Sequence, residues 1–218
     1  GDLGKKVYTE ALRKGIKTGV RQITSPSYEG EIMIYPKHFL DSFFKSQEFQ
    51  KTQPIVEVYY AIQAEGSRAG LPTVVVRTTG CTHRCFFKSG GWCDSWQTSI
   101  HPEKGQFSLQ DVFDMYKQRP WVKEMMLTGG SPTMHPELVN QLSNFCHDND
   151  IFLTIETEGS HFVKTDHPIN LVSLSPKFSN SIPVVGQPTP LGRITDLNMV
   201  KQHNKFRLNA EEIRKTIE

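Results

Sequence analysis

Three cysteines, Cys81, Cys85 and Cys93, lie between Gly80 and Ser95 and constrain this chain more than any other feature. They follow the apolar β-branched run Val74-Val75-Val76. That order predicts thiols leaving the C-terminal end of a strand, where α/β folds place their chemistry. Thiolates this close repel one another until a cation neutralises them, and soft sulfur selects zinc, copper(I) or an iron-sulfur cluster. The odd number is informative. Structural zinc takes a closed shell of four ligands, whereas a four-iron four-sulfur cluster held by three cysteines leaves one iron open for a substrate or cofactor. Zinc could recruit His83 or His101 as a fourth ligand, although no Cys-x-x-Cys pair is present. A disulfide is disfavoured, because no secretory n-region and h-region precede the motif.

At 218 residues the chain can bury one sizeable core, which predicts one catalytic domain plus an extension. Lys and Arg number 25 against 23 Asp and Glu, a formal charge of +2. That balance gives no general electrostatic case for nucleic acid or an anionic membrane and favours a small-molecule substrate. No stretch reaches the apolar length that spans a bilayer, so a cytoplasmic location is expected.

Residues 1–53 read as an N-terminal extension and residues 54–218 as the core domain. Lys5, Lys6, Arg13, Lys14, Lys17 and Arg21 give the extension a basic tilt, and a solvated arm is expected there. Phe39, Leu40, Phe43 and Phe44 recur at helical intervals after Pro36, predicting an amphipathic helix within residues 36–50 that covers the core.

From Ile55 the texture changes to strands. Ile55 to Ile62 and Val74 to Arg77 are β-branched and aromatic. The turn Gln63-Ala64-Glu65-Gly66 between them could hold a polar heterocycle, since carboxylates and amides accept from ring N–H groups. Ser108 is placed to cap a helix running to about Gln118, and Pro136 to open one reaching about His147. Strands are predicted over Lys123 to Thr128, Ile151 to Glu156 and Asn170 to Leu174, each followed by a polar or Gly-rich turn. This is the βα texture of a parallel barrel whose strand ends line one mouth. Helical patterns close the chain at about Thr195 to Gln202 and Asn209 to Ile217, with no further strand. Cys146 reads as a packed apolar thiol on a helix. His135, His147 and His167 lack partners at ligand spacing and read as surface or capping residues. Lys177 reads equally as a partner for a cofactor carboxylate or as a solvated side chain.

Taken in order, the cysteine stretch, Thr128-Gly129-Gly130, Glu156-Thr157-x-Gly159 and Ser175-Pro176-Lys177 resemble the radical S-adenosylmethionine superfamily. Within it, the turn Gln63-Ala64-Glu65-Gly66, then Gly70-x-Pro72, Arg77 and Cys93-Asp94-Ser95, resembles the 7-carboxy-7-deazaguanine synthases. The resemblance runs from about Glu57 to Lys177. It implies an incomplete parallel β/α barrel with an N-terminal extension, either minimal or cut short at its C-terminus. It also implies a four-iron four-sulfur cluster on Cys81, Cys85 and Cys93, S-adenosylmethionine chelated to the open iron, and magnesium on Ser95. Gly129, Gly130, Glu156, Ser173 and Ser175 are then the cofactor candidates, and Gln63, Glu65 and Arg77 the substrate candidates. The implied reaction takes 6-carboxy-5,6,7,8-tetrahydropterin to 7-carboxy-7-deazaguanine with loss of ammonia, through a 5′-deoxyadenosyl radical. A reductant protein such as flavodoxin is the implied partner, and a homodimer is possible. Two departures stand out: seven residues separate Cys85 from Cys93 where the superfamily has two, and Ser131 replaces the glutamate of the family's Gly-Gly-Glu-Pro. Ser131 removes a carboxylate expected to hold the cofactor's ammonium, a loss that Glu156 or a backbone carbonyl would have to make good. The alternatives are another radical enzyme, such as a glycyl-radical activating enzyme, and a non-enzymatic zinc module.

Overall fold

The computed structural model describes residues 19–25, 28–34 and 49–218. The expected basic arm falls largely, and the helix of residues 36–50 almost entirely, outside them. By its internal packing the chain divides into two units, Gly1–Lys51 and Thr52–Glu218. In the first, β1 (Gly19–Ser25) and β2 (Tyr28–Ile34) pair antiparallel. The sequence reading had no strand there.

The second unit is a mixed α/β structure on a six-stranded, mostly parallel sheet. Its strands are β3 (Thr52–Ile62), β4 (Pro72–Thr78), β7 (Phe107–Ser108), β8 (Glu124–Gly129), β9 (Phe152–Thr157) and β10 (Leu171–Leu174), in the order β10-β9-β8-β4-β3-β7. The run β4-β8-β9-β10 is parallel, while β3 is antiparallel to both β4 and β7. Parallel neighbours need crossovers. A short helix α1 (Trp96–Ser99) and helix α2 (Leu109–Gln118) lie on the crossover from β4 to β8, and α3 (Pro136–Asp148) joins β8 to β9. Ser108 caps α2 as expected: its hydroxyl accepts from the Asp111 amide, and the Asp111 carboxylate accepts from the Ser108 amide. The predicted strands and helices after Ile55 all form, each within one to four residues of its expected ends.

Strand alternation divides the sheet into two chemistries. Val74, Val76, Met125, Leu127, Leu153 and Ile155 are buried, and the Cys146 thiol of α3 meets Met125 sulfur at 3.7 Å, so this face is the one the helices cover. Each such side chain removed from water contributes about 1.5–3 kcal/mol. The other face carries Val75 and Arg77 of β4, Met126 and Thr128 of β8, Glu156 of β9 and Ser173 of β10, all lining one cavity. The long connection after β10 leads to α4 (Leu197–Phe206) and α5 (Ala210–Ile217). Among the described residues no helix is long and apolar enough to cross a membrane.

Candidate functional site

The cavity, about 430 Å³, opens at the C-terminal ends of the parallel strands. Its lining includes every residue to which the family resemblance gave a site role: the three cysteines, Ser95, the cofactor candidates Gly129, Gly130, Glu156, Ser173 and Ser175, and the substrate candidates Gln63, Glu65 and Arg77.

The cysteine loop is built by its own backbone. Gly80 turns the chain off β4 at φ +88°, its amide donating to Thr98 O at 2.7 Å and its carbonyl accepting from Ser131 N at 2.8 Å. The seven residues between Cys85 and Cys93 form a small antiparallel ladder, β5 (Phe86–Phe87) with β6 (Gly91–Trp92), reversed through Gly91 at φ +89°. The Cys93 amide continues that ladder by donating to Cys85 O at 3.0 Å, so the enlarged loop returns Cys93 to Cys85. The Phe86 and Trp92 rings meet edge-on, and the Trp92 indole donates to Pro188 O at 2.9 Å.

All three thiols are free. The His83 amide points at Cys81 sulfur at 3.3 Å. Burial, then the nearby Glu158 carboxylate, pushes the Cys81 thiol far up; burial, then Cys93, pushes Cys85 up to about 12. Such donors enter a metal site by releasing their protons. The loop is clamped from α4: Arg84 N donates to His203 Nδ1 at 3.1 Å, and Gln202 Nε2 donates to Thr82 O at 3.3 Å.

Gly129 and Gly130 are glycine because backbones meet there. A Cβ at Gly129, whose φ is +146°, would lie 2.3 Å from Thr78 O, and one at Gly130 would lie 2.3 Å from Gly80 O. The closeness fixes the β8 turn against the cysteine loop. Thr128 Oγ1 donates to Glu156 Oε2 at 2.9 Å, and Ser173 stands in register with Glu156 across β10 and β9. Lys177 also reaches the cavity, its ammonium donating to Ser175 Oγ at 2.8 Å.

On the substrate side, Gln63 Nε2 donates to Glu65 O at 3.3 Å, while its Oε1 is buried without a partner and is thus an acceptor awaiting a donor. Arg77 donates to Glu57 at 2.5 Å, to Ser95 Oγ at 3.3 Å and to Tyr59 Oη at 3.4 Å. Burial opposes its charge, and the bonds to Glu57 and Tyr59 outweigh it, raising the guanidinium pKa.

Two features escaped the sequence reading. Glu158, one residue past β9, is buried and lines the cavity, and it is this residue rather than Glu156 that meets Ser131, at 2.7 Å. Cys81, His83 and Glu158 bring their ligand atoms within 4.8 Å of one another, as do His147, Asp148 and His167. The last group corrects the reading of His147 and His167 as lacking partners: their rings stack at 3.6 Å, brought together by α3 and the loop after β9. His135 precedes α3 without a side-chain capping bond, its Nε2 lying instead 2.7 Å from Thr79 O, and Cys146 is buried on α3 outside the cavity.

No protein-family model matches the chain. Curated relatives do. A 7-carboxy-7-deazaguanine synthase from Halobacterium salinarum is 38% identical over 60% of this chain and 48% of its own length. One from Rhodopirellula baltica is 33% identical over 59% of this chain and 47% of its own length. Among solved structures, QueE from Escherichia coli has a TM-score of 0.48 and 24% identity, covering 62% of this chain and 65% of that one. The chain spans about half the length of the curated relatives it matches first. Over 130 and 129 residues respectively, the chain is similar to these two 7-carboxy-7-deazaguanine synthases.

Proposed function

We propose that this chain is a radical S-adenosylmethionine enzyme that converts 6-carboxy-5,6,7,8-tetrahydropterin to 7-carboxy-7-deazaguanine with loss of ammonia. One observation carries the reading: a single cavity gathers three free thiols, the Gly129-Gly130 turn and the polar residues Gln63, Glu65, Arg77, Glu156, Ser173 and Ser175. The parallel run β4-β8-β9-β10, with every turn opening into that cavity, is what an incomplete radical S-adenosylmethionine barrel requires.

The donor set fits an iron-sulfur cluster. Three soft sulfurs, Cys81, Cys85 and Cys93, line one cavity, which is the ligand type an iron-sulfur cluster takes. When bound, the cluster and S-adenosylmethionine would supply the one-electron chemistry that starts hydrogen abstraction. The chain's own work is position and exclusion of water. Cys81, Cys85 and Cys93 would hold the metal; Gly129 and Gly130 let the cofactor approach backbone; Glu156, oriented by Thr128, and Ser173 offer acceptors and a hydroxyl beside it. Gln63 Oε1 and the Glu65 carboxylate accept from a ring N–H, and Arg77 meets a substrate carboxylate. Magnesium at Ser95 would require the Arg77 guanidinium, 3.3 Å away, to turn aside, and no step is assigned to it.

A second reading, one zinc ion on Cys81, His83 and Glu158, is favoured by the closeness of their ligand atoms. Anaerobic reconstitution with iron and sulfide, followed by reduction with S-adenosylmethionine, separates the two. Release of 5′-deoxyadenosine, dependent on the carboxypterin for turnover, is the expected result. Stoichiometric zinc that resists replacement by iron and labile sulfide would overturn the radical reading. Equal turnover without the pterin would overturn the substrate.

A further inference from the structure

We infer that Glu158 is the acidic anchor of this cavity, holding the ammonium of an amino-acid-bearing ligand, and that Ser131 is small so that it can do so. The inference rests on the radical S-adenosylmethionine reading, in which that ligand is S-adenosylmethionine.

The accounting of partners points there. The Glu158 side chain is 5% exposed, yet it lines the cavity. Its position is set by Gly159, which turns at φ +78° with Leu174 and Ile213 closed against it, within 3 Å of where a Cβ would stand. The carboxylate accepts from two neutral hydroxyls, Ser131 at 2.7 Å and Ser160, and both bonds go to Oε1. Among the described residues the basic group within 4 Å is His83, whose Nδ1 lies 3.8 Å away, too far for a hydrogen bond, and 3.0 Å from Thr82 Oγ1. A carboxylate withdrawn from water with no cation hydrogen-bonded to it is costly, and a ligand cation entering the cavity offsets that cost.

Ser131 completes the argument. It is fully buried in the turn after β8, and its hydroxyl donates to the Glu158 carboxylate. A second carboxylate at 131 would meet the first at this distance and repel it. The carboxylate is thus carried by the turn after β9, and the turn after β8 meets it with a neutral hydroxyl. Glu156 does not make this contact; its Oε2 is taken by Thr128.

The test uses the full chain, reconstituted with iron and sulfide, and equilibrium binding rather than turnover. The probes are S-adenosylmethionine, S-adenosylhomocysteine, which keeps the ammonium, and 5′-methylthioadenosine, which lacks it. Glu158→Gln should weaken the first two by about tenfold, the difference between a charge-assisted and a neutral hydrogen bond, and leave the third unchanged. Ser131→Glu alone should weaken the first two as well. The exchange Ser131→Glu with Glu158→Ser should restore them. Unchanged affinity in Glu158→Gln, or an equal loss for 5′-methylthioadenosine, overturns the inference. If Glu158→Gln fails to fold, the exchanged pair decides: restored binding upholds the anchor and absent binding overturns it. Failure of the underlying reading looks different, since the unmodified chain would then bind no iron-sulfur cluster and no S-adenosylmethionine.

Discussion

The Cys93 N–H to Cys85 O bond fixes the backbones of these two cysteines, the Cys81 sulfur accepts from the His83 amide, and the Cys93 thiol lies 3.8 Å from Asp94 Oδ1. Backbone positioning survives substitution of the thiol. Changing Cys81, Cys85 or Cys93 to Ala should therefore leave the fold intact while abolishing 5′-deoxyadenosine formation, measured after anaerobic reconstitution. Cys146 sits apart, buried against Met125 on the helix-covered face. Cys146→Ala should lose about 1 kcal/mol of stability through its small cavity and retain product formation. Equal loss of 5′-deoxyadenosine in that variant would contradict the assignment of three ligands.

Two elements hold the cysteine loop, and each makes a prediction. The β5-β6 ladder closes the span from Cys85 to Cys93, and Trp92 fastens it to Pro188 O. Its role is to return the chain. Replacing residues 87–91 by a two-residue turn should preserve iron per chain on reconstitution, because shortening a closed loop costs little chain entropy. Loss of iron in every shortened variant would make the ladder itself structural. Helix α4 supplies the second hold through His203, fully buried, which accepts from Arg84 N and meets Ser181 Oγ at 3.1 Å. Burial, then the charge of His83, Arg207, Arg84 and Lys177, lowers its pKa from 6.5 to about 4. A histidine depressed in the folded state binds its proton first in the unfolded chain. Its contribution is therefore whole above about pH 6.5 and is lost as pH falls toward 4. Denaturant titrations at both pH values should show a shallower loss for His203→Gln than for the unmodified chain. Identical slopes would remove His203 from this role.

At the scale of the whole second unit, the segment after β10 reaches back to the cavity wall at several points. Pro188 meets the hairpin, His203 and Gln202 meet the cysteine loop, Arg207 O accepts from Lys177 N, and Glu212 accepts from Phe162 N. The sheet core does not depend on these bonds: Val74, Val76, Met125, Leu127 and Leu142 are buried by strands and by α2 and α3. Ending the chain at Arg193, which removes α4 and α5, should leave far-ultraviolet circular dichroism strand content largely intact while the protein loses most of its iron after desalting. Undiminished iron would show that the cysteine loop stands without its clamp.

Local chemistry was legible in the sequence from Ile55 onward. The β-branched runs, the Ser108 cap, Pro136 at a helix start and the glycine turns act within a few residues, so the strands, the helices and the cavity-lining motifs follow from the chain alone. The short ladder inside the cysteine loop was not legible in the sequence, because two-residue strands carry no periodicity. Pairing is a different matter, since it depends on contacts between residues far apart. Tertiary structure alone decided that β3 runs antiparallel to β4, that His147 stacks on His167, and that Glu158, 27 residues after Ser131, brings a carboxylate to its hydroxyl. Such a contact appears only when adjacent parallel strands deliver the turns after β8 and β9 to the same end of the sheet.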